Sequence, residues 1–120
     1  MAKSYRDLDI WKKGMIIVES IYNATKKFPR AELFGLATQM RRSAVSIPSN
    51  IAEGFARQYN KEYKQFLYLS LGSCSELETQ IIVGANQGYY SKEIEEELLE
   101  LLDHESRMIM NMVKAVSKCS

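Results

Sequence analysis

The sequence contains only two cysteines, two prolines and one histidine, and the shortages of cysteine and of histidine each argue against a class of protein. Cys119 lies one residue from the end, so two free thiols in a reducing compartment are expected rather than a disulfide. One histidine cannot supply the paired Glu-x-x-His motifs of a di-iron bundle, and we expect neither a metal nor a cofactor. The longest uncharged stretch, residues 79–91, is shorter than the ~20 apolar residues of a membrane span.

Signatures of secretion and catalysis are missing as well. Charged residues interrupt the amino-terminal segment MAKSYRDLDIWKKG, which does not resemble a signal peptide, so we expect a cytoplasmic protein. The serines and the cysteine of segment 70–75 have no histidine near them in sequence, and no Gly-x-Ser-x-Gly nucleophile motif occurs. The glycines match neither a P-loop nor a dinucleotide-binding spacing. We therefore predict that the protein is not an enzyme.

Helical periodicity is what the sequence does contain. Its 120 residues, of which 46% are hydrophobic and 26% charged, fit one domain spanning residues 1–120. Four stretches repeat apolar residues every three or four positions, which predicts four helices. They are a first helix that Pro29 ends, a second from about residue 31 to 57, a third that Asn60 caps and that ends near Asn86, and a fourth that Ser91 caps and that ends near Lys118. Short connections favour an all-α, antiparallel up-down-up-down four-helix bundle.

The apolar stripes of these helices predict the core and a possible contact between copies of the chain. The stripes are Trp11, Met15, Val18, Tyr22 and Thr25; then Leu33, Leu36, Met40, Ala44, Ile47, Ile51 and Phe55; then Tyr63, Leu67, Ser70, Cys74, Leu77 and Ile81; and finally Ile94, Leu98, Leu101, Met108 and Met112, broadened by Leu102, Ile109 and Val116. The third helix carries a second stripe, which consists of Tyr68, Leu71, Ser75 and Ile82. Because a small bundle has difficulty burying both, we predict that this second stripe forms an oligomer interface.

The second helix contains Pro48, which cannot donate a hydrogen bond to the carbonyl of Ala44. We predict a kink there, with Ser46 capping the half of the helix that follows. The motif residues around the proline are Ser46, Ser49, Asn50, Glu53 and Gly54. In the favoured interpretation the side chains of Ser49, Asn50 and Glu53 satisfy the freed backbone groups or bridge to another helix. In the alternative they line a small site with Arg41 and Arg42.

Charge is unevenly distributed along the sequence although the net charge is only +1. Residues 1–64 carry twelve Lys and Arg against six Asp and Glu, whereas residues 65–120 carry four against nine. The two halves can complement each other across the bundle, or the first can offer a basic face to an anionic partner. Tyrosine rings stack on bases while Lys and Arg contact phosphates. The candidate nucleic-acid contacts are Arg41, Arg42, Arg57, Tyr59, Lys61, Tyr63 and Lys64.

Several segments resemble one known family. Residues 46–55 (SIPSNIAEGF), preceded by residues 39–45 (QMRRSAV), closely resemble the family of four helix bundle proteins, also called 23S rRNA intervening-sequence proteins. Residues 71–73 (LGS), 76–80 (ELETQ) and 9–11 (DIW) are similar to further parts of that family. The resemblance implies a bacterial bundle that assembles as a homopentamer. Members are sometimes encoded within insertions in ribosomal RNA genes, and no catalytic residues are carried over.

Two functions follow as hypotheses. The first is a non-enzymatic homo-oligomer, pentameric by the resemblance, that acts as a binding or scaffold module and has itself as its expected partner. The second is an RNA- or DNA-binding accessory protein that uses the basic, tyrosine-containing residues above. A membrane partner is not expected.

Overall fold

The computed structural model describes residues 2–119, and within them the chain forms four α-helices and no strand. The helices are α1 (Asp9–Thr25), α2 (Leu36–Phe55), α3 (Asn60–Asn86) and α4 (Lys92–Lys118). Short 3-10 turns precede α1 and α2, at Tyr5–Asp7 and Arg30–Glu32. The all-α, four-helix fold class is therefore confirmed.

Each helix packs on its neighbours in the chain order. Backbone contacts join α1 to α2, α2 to α3 and α3 to α4, and α4 closes the arrangement by contacting α1. Between residues 2 and 119 no comparable contact joins α1 to α3 or α2 to α4. A square of four helices with short connections is what the up-down-up-down topology requires, and that topology stays a prediction. No helix of the described residues is both long enough and apolar enough to cross a membrane.

The helix boundaries differ from the expected ones mainly at α2. This helix begins at Leu36 rather than near residue 31, because a 3-10 turn and an irregular backbone at Gly35 (φ −110°, ψ −112°) come before it. It is continuous through Pro48, so Ser46 does not cap a second half, and the kink stays a prediction. The N-cap of α3 is Tyr59, without a capping side chain, rather than Asn60. Ser91 does cap α4, since its Oγ accepts a hydrogen bond from the Ile94 N–H at 3.2 Å.

The core is formed by apolar side chains from all four helices. Its α2 and α3 members match the predicted stripes, and the fully buried side chains among them are Met40, Ala44, Ile47, Ile51, Leu67, Cys74, Leu77 and Ile81. The stripe predicted for α1 was wrong by one position over most of its length, and Thr25 is its one fully buried member. Ile10, Gly14, Ile17 and Ile21 face the core, whereas Met15 and Tyr22 are 38% and 39% exposed. Gly14 broke the apolar pattern of the true core face, so the neighbouring stripe looked more continuous.

The stripe predicted for α4 is confirmed at Leu98, Leu102, Ile109 and Val116, whereas its other members lie beside the buried face. The buried residues of α4 are Glu95, Leu98, Leu102, Glu105, Ile109, Val113 and Val116. Ile94 is exposed, and Leu101, Met108 and Met112 are only partly buried. Two glutamates occupy core positions of α4, and a search for apolar residues passes over them.

Close contacts between α2 and α3 hold the motif segment in place. A Cβ atom added to Gly54 would lie 2.7 Å from the Cβ of Phe66, so only glycine allows the two helices to approach this closely there. The Ser70 hydroxyl donates to the carbonyl of Ile47, the residue directly before Pro48, at 2.9 Å. Bonds from a side chain on one helix to the backbone of the next fix the register of the pair.

Candidate functional site

The seven candidate nucleic-acid contacts lie in two separate places. Arg41 and Arg42 are in the first half of α2, whereas Arg57 and the other four residues lie where α2 passes into α3. Fifteen positions separate Arg42 from Arg57, which corresponds to about 22 Å along a helix at 1.5 Å per residue. We call Arg41 and Arg42 the groove group, because they line the groove described below. The turn group consists of Arg57, Tyr59, Lys61, Tyr63 and Lys64.

Arg41 is held in a fixed position between α1 and α2. Its Nε–H donates to Thr25 Oγ1 at 2.9 Å, and Thr25 is completely buried. The Thr25 hydroxyl in turn donates to the Ile21 carbonyl at 2.7 Å. The Arg41 guanidinium also lies over the ring of Tyr22, 4.7 Å from its centroid. A hydrogen bond and a cation–π contact together restrict a side chain that is usually mobile.

A groove of about 450 Å³ opens beside this arginine. Its lining residues are Tyr22, Thr38, Arg41, Arg42, Val45, Ser46 and Ser49. The lining contains two guanidinium groups, four hydroxyl groups and no carboxylate. Within residues 2–119, no ion pair joins Arg41 or Arg42 to an acidic side chain. We call this the α1–α2 groove, and chemically it can accept an anion.

The turn group is partly engaged by the protein itself. The Arg57 guanidinium lies 4.7 Å from the centroid of the Phe66 ring and pairs with Glu53 Oε2 at 3.5 Å. Tyr63 packs edge-on against Phe55, and burial raises the pKa of its hydroxyl. Tyr59, by contrast, is 62% exposed. Lys61 is also exposed, and Lys64 is partly buried.

The motif residues near Pro48 make bonds within α2 and to α3. Asn50 Nδ2 donates to the carbonyl and to the hydroxyl of Ser46, at 2.9 Å each. The Ser73 hydroxyl donates to Ser46 Oγ at 2.9 Å, which bridges α3 to α2. Ser49 makes no such bridge and lines the α1–α2 groove. The segment thus shows features of both interpretations, because Asn50 bonds to a backbone carbonyl of α2 whereas Ser49 lines the groove with Arg41 and Arg42.

The candidate oligomer-interface residues lie along the outer face of α3. Tyr68 and Ile82 are 53% and 42% exposed, Ser75 is exposed, and Leu71 is partly buried against the core. Two further exposed apolar residues of α3, Leu69 and Val83, adjoin this face and were not part of the predicted stripe. Apolar residues occur on adjacent faces of α3, so the sequence pattern alone could not show which of them are exposed.

The family model of 23S rRNA-intervening sequence proteins matches residues 6–111 of the chain. The chain belongs to this family. Every candidate contact, motif and interface residue named above lies inside the matched range. No curated protein matches the chain significantly.

The solved structure of another protein has the same fold as this member of the 23S rRNA-intervening sequence protein family. It is a Bacteroides thetaiotaomicron protein of unknown function from the S23 ribosomal protein family. The two structures superpose with a TM-score of 0.81, over 88% of this chain and 95% of the other, at 21% sequence identity. At that identity the likeness extends to the fold alone, and the relative's function is itself unknown.

One buried ionisable residue of this family member was not found from the sequence. Glu105 is fully buried, and neither of its carboxylate oxygens has a hydrogen-bond partner. Burial raises the pKa of its carboxyl to about 8, and the nearby Lys13 acts in the opposite direction. The sequence did contain a signal for its burial, because Glu105 continues the spacing of three and four residues set by Leu98, Leu102 and Ile109. Among the described residues no cluster of three metal-ligating side chains occurs around it or elsewhere.

Proposed function

We propose that this protein works in the cytoplasm as a homo-oligomer of five copies, and that the oligomer is a binding or scaffold module rather than an enzyme. The observation that carries the proposal is the outer face of α3. Tyr68 near one end and Ile82 and Val83 near the other expose apolar surface on the outward side of α3, and Leu69 adjoins them. Exposed apolar surface that gathers on one face marks a protein contact more often than scattered residues do. The number five rests on the resemblance to the family.

The middle of this face is suited to a close approach by another helix. A Cβ atom added to Gly72 would meet no atom within 4 Å, so open space lies above it. Ser75 and Thr79 continue the face with small side chains. Small residues between two apolar ends let a neighbouring backbone come near, and the apolar ends then lose their contact with water.

Light scattering coupled to gel filtration tests the oligomer directly. Five copies of the 13.8 kDa chain (5 × 13.8 kDa) give about 69 kDa. We expect Ile82→Lys and Gly72→Gln to shift the protein toward smaller species, since one places a charge and the other a bulky amide in the contact. Ile16→Lys is the matched control, because Ile16 is similarly exposed but lies on α1. A wild-type monomer at micromolar concentration would contradict the proposal.

We propose nucleic-acid binding as the second candidate function. The specific support is that Arg41 and Arg42 line one groove without an acidic partner, while Tyr59 and Lys61 are exposed at the turn. In a ring, five copies of these residues would act together, which raises the apparent affinity without any new contact. Binding to single-stranded RNA should then weaken steeply as salt rises from 50 to 200 mM, because phosphate contacts release counterions. Absent binding at low salt, or binding that salt does not change, argues against this function.

A further inference from the structure

We infer that the α1–α2 groove is a binding site for a single phosphate group, with Arg41 as its fixed ligand and Arg42 as a second positive charge. The inference deepens the nucleic-acid proposal, because it names the chemical group and the place. It can nevertheless be tested separately, since a free phosphate compound can fill the same site.

The first support is the geometry of the Arg41 side chain. Its Nε–H is bonded to the buried Thr25 hydroxyl, and no hydrogen bond or ion pair of the described residues uses its two terminal nitrogens. Those two nitrogens present parallel N–H groups that match two oxygens of a phosphate. The Thr25 bond and the Tyr22 ring hold the guanidinium before any ligand arrives. Less side-chain entropy is therefore lost on binding.

The second support is the charge around the groove. None of its seven lining residues is acidic. The acidic side chain on the other side of Arg42 is Glu76, which borders a neighbouring depression together with Arg42. Glu76 Oε1 accepts a hydrogen bond from the Ser43 hydroxyl at 3.2 Å, and no ion pair within 4.0 Å links it to Arg42. Among residues 2–119, neither guanidinium group thus has an acidic side chain within ion-pair distance.

The third support is that hydroxyl groups of the groove can still donate hydrogen bonds to a ligand. Ser46 Oγ already accepts two hydrogen bonds, from Asn50 Nδ2 and from the Ser73 hydroxyl. Its own proton is therefore left to donate, and Ser46 lines the groove. Ser49 adds a second hydroxyl at the groove wall. Hydroxyl donors beside guanidinium groups are a common composition of phosphate sites.

The groove is built to recognise phosphate rather than a base. The guanidinium of Arg41 covers a face of the Tyr22 ring, so that face is not available for base stacking. A phosphate monoester of a small molecule and the phosphodiester backbone of RNA present the same oxyanion, and either can supply the group.

Binding can be measured by NMR on the full-length, uniformly ¹⁵N-labelled protein at constant ionic strength. The probes are inorganic phosphate, adenosine 5′-monophosphate and a single-stranded RNA oligonucleotide without terminal phosphates, with chloride as the reference anion. We expect the Arg41 Nε–H signal to shift on addition of inorganic phosphate. Arg41→Lys, which keeps the charge but loses the paired N–H groups, should weaken phosphate binding by about tenfold. Lys12→Ala is the control, because it removes an exposed charge ten positions before Tyr22 on α1.

Thr25 is a positioning residue in this proposal, and its variants give an independent readout. Thr25→Val should weaken phosphate binding several-fold and speed the exchange of the Arg41 Nε–H with water, because the hydrogen bond to Thr25 Oγ1 is lost. Thr25→Ser keeps the hydroxyl and should restore both. Circular dichroism confirms that each variant is folded. Should Thr25→Val fail to fold, Arg41→Lys and Arg42→Ala carry the test alone, since both change side chains that reach the surface.

The outcomes separate this inference from the wider nucleic-acid proposal. Phosphate and monophosphate binding that depends on Arg41, with no RNA binding, supports the groove site and defeats the nucleic-acid function. RNA binding that Arg41→Lys also weakens supports both and identifies the backbone as the source of the phosphate. Phosphate affinity unchanged by Arg41→Lys, or weakened no more than by Lys12→Ala, overturns the inference, even when Lys61→Ala reduces RNA binding.

Discussion

The carboxylate of Glu105 on α4 lies directly against the backbone of Gly14 on α1. A Cβ atom added to Gly14 would come within 3.2 Å of Glu105 Oε2 and 3.3 Å of two atoms of the Pro48 ring. An ionisable group, a glycine and a helix-interior proline from three helices therefore share one point of the core. The glycine provides the space that the carboxyl group occupies, and the carboxyl group is left without a hydrogen-bond partner.

Glu105 should make the stability of the protein fall as the pH rises. In the unfolded chain a glutamate ionises near pH 4.3, whereas in the fold burial raises the pKa of Glu105 to about 8. Below pH 4.3 both states keep the proton, and above pH 8 both lose it. Between these values only the folded state binds the proton, so raising the pH lowers the free energy of unfolding by at most about 1.4 kcal/mol per unit.

Glu105→Gln tests this relationship, since the amide has nearly the same shape and no charge. Its stability relative to wild type should increase from pH 5 to pH 8 and then level off, as measured by urea unfolding at pH 5, 6.5, 8 and 9. Glu100→Gln on the exposed side of the same helix serves as the control and should show no such trend. Equal pH dependence in wild type and Glu105→Gln would show that the buried carboxyl titrates normally.

The same site shows how far the sequence could predict the fold. Helix number, the bounds of α3 and the cores of α2 and α3 followed from apolar periodicity and helix-end signals. The core faces of α1 and α4 followed only in part, because Gly14 and Glu105 occupy core positions with residue types that a hydrophobic pattern excludes. Whether such a position is buried depends on the neighbouring helices, since Pro48 of α2 and Glu105 of α4 fill the space beside Gly14.

The candidate site was predictable in its residue types but not in its geometry. Arg41 and Arg42 were identified from their charge, yet nothing in the sequence indicated that Arg41 would bond to Thr25, sixteen positions earlier. That contact depends on how α1 and α2 are rotated about their axes. The prediction had the rotation of α1 wrong, because it assigned the wrong residues to the core. With Tyr22 assigned to the core, its ring could not be expected beneath an arginine at the surface.

Gly54→Ala should destabilise the protein by roughly 1–3 kcal/mol, the usual cost of overpacking a tight contact. The added methyl group would meet the Cβ of Phe66 at 2.7 Å and Cδ1 of Tyr63 at 3.1 Å. A Cβ atom cannot rotate away, so α2 and α3 must separate. Thermal or urea unfolding measures the loss, with the exposed Gln65→Ala on α3 as the reference. A variant as stable as wild type would mean that the two helices separate easily.

The two cysteines should differ sharply in their reaction with a thiol reagent. Cys119 is exposed, whereas Cys74 is buried and its burial raises the pKa of the thiol to about 12. Only the thiolate reacts, so at pH 8 one thiol should react rapidly in the native protein and the second only when the chain unfolds. Cys119→Ser should remove the rapid phase. Rapid reaction of both thiols in the native protein would show that the core around Cys74 opens readily.

Gly88 closes α3, and replacing it should weaken the α3–α4 connection. Its N–H donates to the Ala85 carbonyl at 2.9 Å, the following N–H of Tyr89 donates to the Gly84 carbonyl at 3.1 Å, and its φ is +78°. This is the Schellman arrangement, which places a left-handed residue just after the helix. Residues with a Cβ atom adopt that conformation at a cost of about 1–2 kcal/mol.

The loss of stability on replacing Gly88 should therefore depend on which side chain is introduced. Gly88→Ala should lower the free energy of unfolding by about 1 kcal/mol, and Gly88→Asn by less, because asparagine tolerates the left-handed conformation better. Gln87→Ala, at the preceding right-handed position, should change stability little. The connection also positions Tyr89, whose ring packs 4.9 Å from that of Phe28. If Gly88→Ala and Gly88→Asn melt at the wild-type temperature, the left-handed turn is not what ends α3 in solution.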